Sequence, residues 1–150
     1  MKKMIILVLS IVLVLSVFTI SDNTVSAKTV KKKGVYTTAT VKNSSSMMGY
    51  SRPLIKKIRV SGNKITTYGS FYYGKNNTAV AKKIKRKKRT FKIAKTCKYV
   101  LGAAPARVQR VSKKSLISRV KRNIKSNIDC ENLELTVKNG KVIKMRVLQG

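Results

Sequence analysis

The stretch "LELTVKNGKVIKMRV", Leu133 to Val147, decides the fold class. Leu133, Leu135 and Val137 alternate with polar residues up to Asn139-Gly140, and a second apolar-polar run follows it. Two such runs around Asn-Gly mark a β-hairpin. The apolar pattern also chooses the turn, because a one-residue slip moves a strand's whole apolar set to the other face. A strict two-residue turn sets Leu135 opposite Lys144 and Leu133 opposite Arg146, which mixes the faces. A type I turn with Gly140 as a G1 bulge sets Leu135 opposite Ile143 and Leu133 opposite Met145. One face then stays apolar, so the bulged turn is expected.

Upstream of the hairpin, Ser112 caps a helix "SKKSLISRVKRNI", in which Leu116, Ile117, Val120 and Ile124 fall at helical spacing. Before it, "RTFKIAKTCKYVL" (Arg89 to Leu101) alternates, with Lys95 the exception on the apolar face. Earlier still, "LIKKIRV" and "ITTYGSFYY" flank Gly62-Asn63, whose two-residue turn pairs Val60 with Ile65 and Ile58 with Thr67. Strand, strand, strand, helix, strand, strand is the order of the five-stranded OB-type barrel. The expected fold is mainly β (α+β): a small OB-like barrel, or else a β-roll, with one α-helix at about 112–126 before a C-terminal hairpin. The domain is placed at 54–150. Residues 28–53, an extended "KTVKKKGVYTTATVK" and a Ser- and Gly-rich loop, fall outside this minimal plan, as does the segment from Ala79 to Lys85.

The chain opens with Lys2 and Lys3, an apolar run from Met4 to Ile20, and Val25-Ser26-Ala27. A basic start, a short apolar core and small residues at its end make a secretory signal peptide over 1–27, cut after Ala27. The run is short for a spanning helix, which needs about 20 residues. No integral membrane segment is expected once the leader is removed. The leader, "TFKIAKTCKYVL", "VSKKSLISRV" and "LELTVKNGKVIKMRV" together resemble small lysine-rich secreted proteins of low-GC Gram-positive bacteria. The resemblance implies export and carries no particular activity.

Charge is the outlying quantity. The chain has 35 Lys plus Arg against four Asp plus Glu, a net charge of +31. Removing Lys2, Lys3 and Asp22 with the leader leaves 33 basic and three acidic residues, net +30. Small soluble domains carry a magnitude of about 2–8. A lysine-favouring composition explains many lysines but not so few acids. Such a surface repels itself and attracts polyanions in a salt-dependent way. Lysine outnumbers arginine, which favours diffuse attraction over directional readout.

Catalytic chemistry finds little support. There is no histidine, the commonest general base. The acids Asp129, Glu131 and Glu134 are close in sequence, but Glu131 and Glu134 point to opposite sides of a strand, which disfavours a glycosidase pair. Ser-x-x-Lys occurs at Ser61/Lys64 in a tight turn and at Ser118/Lys121 on the helix, with no companion motif. No enzyme, cofactor or metal site is expected, because two thiols without histidine leave a metal shell incomplete. Cys97 and Cys130 are the only cysteines. Outside the cell they are a candidate disulfide, with two separate thiols as the alternative.

The candidate binding residues are Lys82, Lys83, Lys85, Arg86, Lys87, Lys88 and Arg89, in "AKKIKRKKRTF" (Ala81 to Phe91). This run is expected as a loop or strand entrance at the barrel rim. In "YGSFYYG", Tyr68 and Tyr72 lie on the face opposite Phe71 and Tyr73 and are candidate stacking groups. The expected function is that of a non-enzymatic cationic protein, extracellular or wall-associated, bound by charge to an anionic partner (a teichoic-type wall polymer or acidic polysaccharide). Extracellular nucleic-acid binding is the first alternative, and a cationic antimicrobial or toxin-like factor the second.

Overall fold

The structure, a computed structural model, describes residues 27–41, 53–75, 81–102, 108–126 and 131–149. The expected leader, the Ser-rich stretch after Lys42, Asp129 and Cys130 lie outside them. The elements are β1 (Lys28–Thr29), β2 (Gly34–Ala39), β3 (Ile55–Ser61), β4 (Lys64–Gly74), β5 (Lys82–Leu101), β6 (Gln109–Arg110), α1 (Lys113–Ser126), β7 (Glu131–Lys138) and β8 (Lys141–Gln149).

Five of these strands close a barrel. Around the ring, β2 pairs with β4, β4 with β5, β5 with β8, β8 with β7, and β7 with β2. All of these pairings are antiparallel except β5 with β8, which is parallel. With α1 between the third and fourth barrel strands, this is the OB-like arrangement expected from the sequence.

The assignment of strands to the ring differs from the sequence reading. The N-terminal strand β2 is the first stave, held between β4 and β7. "LIKKIRV" is β3, which pairs with β4 alone and lies outside the ring. A domain starting at residue 54 would omit a stave, so the structural unit includes β2. The pairing gives the reason: β2 is hydrogen-bonded on both edges, to β4 and to β7, as a closed ring requires, whereas β3 is bonded to β4 alone. Val35, Tyr36, Thr38 and Ala39 of β2 are buried, while β3 mixes exposed cations with half-buried apolar residues.

The first hairpin has the expected register, with Ile58 opposite Thr67 and Val60 opposite Ile65. Gly62 takes φ +51° at the first turn position, the choice expected of a II′-type turn. The second hairpin corrects the expected bulged turn. Asn139 and Gly140 both have positive φ, 50° and 68°, and Lys138 faces Lys141 across a strict two-residue turn. The register then shifts between Thr136 and Val137, so that Leu135 meets Met145 and Leu133 meets Val147. The apolar face does require a bulge, but the bulge sits one pair beyond the turn. Asn-Gly adopts a type I′ turn at little cost, so the register is corrected within the strand instead.

The core joins both barrel faces to the helix. Ile65, Phe71, Phe91, Leu133, Leu135 and Met145 are fully buried, together with Leu116 and Val120 of α1. Ser112 caps the helix as expected, its Oγ accepting from the Ser115 amide at 3.1 Å. Among the described residues no helix is long and apolar enough to cross a membrane.

Gly69 marks the place where β3 bends onto β4. A Cβ there would lie 2.5 Å from the Leu54 carbonyl oxygen and 2.6 Å from the Ile55 Cα. These are backbone atoms that cannot rotate away. Gly69→Ala is expected to cost about 2 kcal/mol through overpacking, read as a lower urea midpoint at unchanged m. An unshifted midpoint would show that β3 can give way there.

Candidate functional site

The basic run is strand rather than loop. It forms the first half of β5, a single 20-residue strand. Lys88 pairs with Tyr68, Lys87 with Gly69, Lys83 with Tyr72 and Lys82 with Tyr73. A register shift between Gly69 and Phe71 inserts one extra residue on β5 inside the run. The bulge breaks the simple alternation, so Lys85, Arg86, Lys87 and Lys88 are all exposed in succession. Consecutive cations on a strand read like a loop because a regular strand would bury every second one.

Two clefts divide the run. The first, of about 680 Å³, lies between the N-terminal segment and β5. Seven lysines line it: Lys28, Lys31, Lys32, Lys82, Lys83, Lys85 and Lys87. Among the described residues no carboxylate lines it. β1 runs parallel to β5, with Lys28 opposite Arg89, and the Val30 amide donates to the Thr90 carbonyl at 2.8 Å. The "KKK" at 31–33 is tied down by two phenols. Tyr36 Oη donates to the Lys32 carbonyl at 3.1 Å, and Tyr73 Oη to the Lys33 carbonyl at 2.7 Å. Lys32 Nζ also stands 4.5 Å from the centre of the Tyr73 ring.

These phenols belong to an aromatic cluster. The rings of Tyr36, Tyr73, Phe71 and Phe91 meet at 5.0–6.4 Å, edge-on or tilted. Burial, with the neighbouring Tyr73, pushes the Tyr36 phenol up to about 12, while Arg89 pulls it the other way. The phenol therefore stays a hydrogen-bond donor. The sequence reading missed Lys28, Lys31 and Lys32 because it placed them outside the domain. The available signal was the "GVYTTA" that follows them, which reads as strand.

The second cleft, of about 640 Å³, takes Lys88 and Tyr68 together with Lys56, Lys57, Arg59 and Lys121. Tyr68 is exposed, at 42%. Tyr72 is half-buried and lies outside this cleft, so the two candidate stacking residues are not brought together. Arg86 is exposed and lines neither cleft.

Arg89 is a correction. Although it belongs to the run, it is buried at 7% exposure. Its guanidinium donates to the carbonyls of Lys85 at 2.6 Å, Gly69 at 2.9 Å and Lys87 at 3.3 Å. It also lies 5.7 Å from the centre of the Phe71 ring. Burial lowers its pKa, with Tyr36 opposing. Its donors are already used to hold the bulge, so it is structural rather than a polymer contact. Arg89→Met is expected to cost about 2 kcal/mol, from charge-assisted bonds lost to buried carbonyls, and to leave polyanion affinity unchanged. Lys87→Met should do the reverse, weakening binding while moving stability by less than about 0.5 kcal/mol.

Glu131 is structural as well. It is buried and pairs with Arg119, whose Nε donates at 2.7 Å. Asn123 donates to its other oxygen. Glu134 stands across the ladder from Arg146. Cys97 is a buried free thiol, and burial pushes its pKa up, so it is a poor nucleophile. Cys130, the partner considered from the sequence, lies outside the described residues.

The comparisons add no relative. The chain matches no family model, no curated protein and no solved structure. The site must therefore be read from its own chemistry.

Mutual repulsion among these lysines opposes the compact state and is screened by salt. The melting temperature is expected to rise between low and moderate salt. A flat or falling value would show that the lysines are too well spread to repel one another.

Proposed function

We propose that the protein is an exported, non-enzymatic module that binds anionic polymers of the cell envelope or its surroundings by charge. The observation that carries this reading is the first cleft, where lysines from β5 and from the N-terminal segment face one open space with no carboxylate among the described residues. A polymer laid there releases counterions from many sites at once, so weak individual contacts sum to useful affinity. Flexible lysines suit a repeating phosphate or carboxylate without a fixed geometry. The buried pairing of Glu131 supports the non-enzymatic part.

The deciding experiment is fractionation of the source organism with and without a salt wash. Retention on the wall and release by salt supports the proposal; protein free in the medium counts against it. Nucleic-acid binding is the second reading, favoured by exposed Tyr68 beside Lys88 on β4 and β5, the strands that OB-type barrels use for oligonucleotides. Retention on purified wall compared with gel shifts of single-stranded DNA at moderate salt separates the two. A membrane-active role ranks lower, because Leu116, Ile117 and Val120 of α1 are committed to the core.

A further inference from the structure

We propose that the second cleft, beside α1 and the β3–β4 hairpin, binds a single-chain anionic amphiphile of the alkyl phosphate or fatty-acid type. This goes beyond polymer binding, which rests on the first cleft. Ile58, Ile124 and the ring of Tyr68 give the second cleft apolar lining. Five cations, Lys56, Lys57, Arg59, Lys88 and Lys121, line it as well, and among the described residues no carboxylate does. Thr66 and Thr67 of β4 form part of the lining, with the Thr67 side chain buried on the strand face opposite Tyr68. The volume, about 640 Å³, falls in the range of small-ligand sites, about 300–1,000 Å³.

Each feature narrows the ligand. A polyanion alone needs the cations but gains nothing from the apolar lining. A neutral apolar ligand uses the lining but leaves the cations unexplained. An alkyl chain on an anionic head uses both.

The test is an NMR titration of the whole isotope-labelled protein with butyl, hexyl and octyl phosphate below micelle formation, and with inorganic phosphate. Saturable shifts are expected around Ile58, Thr67, Tyr68 and Lys121, with affinity rising about two- to fourfold per added methylene. Tyr68→Ser with Lys121→Gln should weaken octyl phosphate by about tenfold. Lys82→Gln with Lys83→Gln should leave it unchanged while weakening retention on anionic polymer, so failure of one reading is separable from failure of the other. Affinity independent of chain length, or shifts spread over all lysines without saturation, would overturn the proposal. So would binding to phosphatidylglycerol vesicles without a response to octyl phosphate, which assigns the cleft to a membrane surface. The same holds if a short oligothymidylate shifts these residues and octyl phosphate does not.

Discussion

Raising salt from about 50 to about 200 mM is expected to weaken binding of a linear phosphodiester polymer by about 10³-fold. The figure follows from the first cleft. Its seven lysines would each release counterions, and a polymer with the charge spacing of a single strand contributes a slope of about −0.7 per neutralised phosphate. The slope of log K against log salt is then about −5. Replacing Lys82, Lys83, Lys85 and Lys87 by Gln should reduce it to about −2. All four are exposed, so the fold should persist. The control replaces Lys64, Lys92, Lys95 and Lys141, which line a separate cleft at the Gly62-Asn63 turn. Equal loss from both quadruple variants would mean that charge acts diffusely over the surface and that the first cleft has no special part. Loss confined to the first variant localises binding between β1 and β5.

Glu131→Ala is expected to cost about 3 kcal/mol of folding stability. Removing one partner of a buried ion pair costs about 3–5 kcal/mol because the other charge is left uncompensated. Arg119 is 26% exposed, so water recovers part of the loss and the lower end applies. Asn123 is fully buried and loses the acceptor for its amide; its own Oδ1 has no partner to begin with. Glu131→Gln keeps the shape and one acceptor, so its loss should fall between wild type and Ala. Urea denaturation followed by far-ultraviolet circular dichroism reads both. A loss below about 1 kcal/mol for Ala would show that α1 is held by Leu116 and Val120 alone, without the clamp to β7.

The legibility of the site followed the legibility of alternation. Arg86, Lys87 and Lys88 were recognisable as surface cations because only basic residues flank them. Arg89 looked the same in sequence, and only its position opposite Thr67, where β4 turns inward, buries it. Its place is stable because three carbonyls at the bulge converge on one guanidinium, and convergence of main-chain groups leaves no trace in residue type. Lys31 and Lys32 were visible as a basic run, but their role depends on Tyr36 and Tyr73, the second of them about 40 residues away along the chain.

The sequence by itself determined the strands with strict alternation, the capped helix, the first hairpin's register and the scarcity of acids. These depend on local periodicity and composition, which short stretches carry in full. Tertiary structure alone decided which strand closes the ring, where the C-terminal hairpin takes its bulge and which cations meet in one cleft. Ring closure depends on which strand is hydrogen-bonded on both edges, which only the tertiary pairing reveals. The bulge depends on a low-strain Asn-Gly turn competing with a strand register several residues away. The cleft joins Lys28 to Lys82 through a parallel pairing, and no local pattern encodes a contact between segments so far apart along the chain.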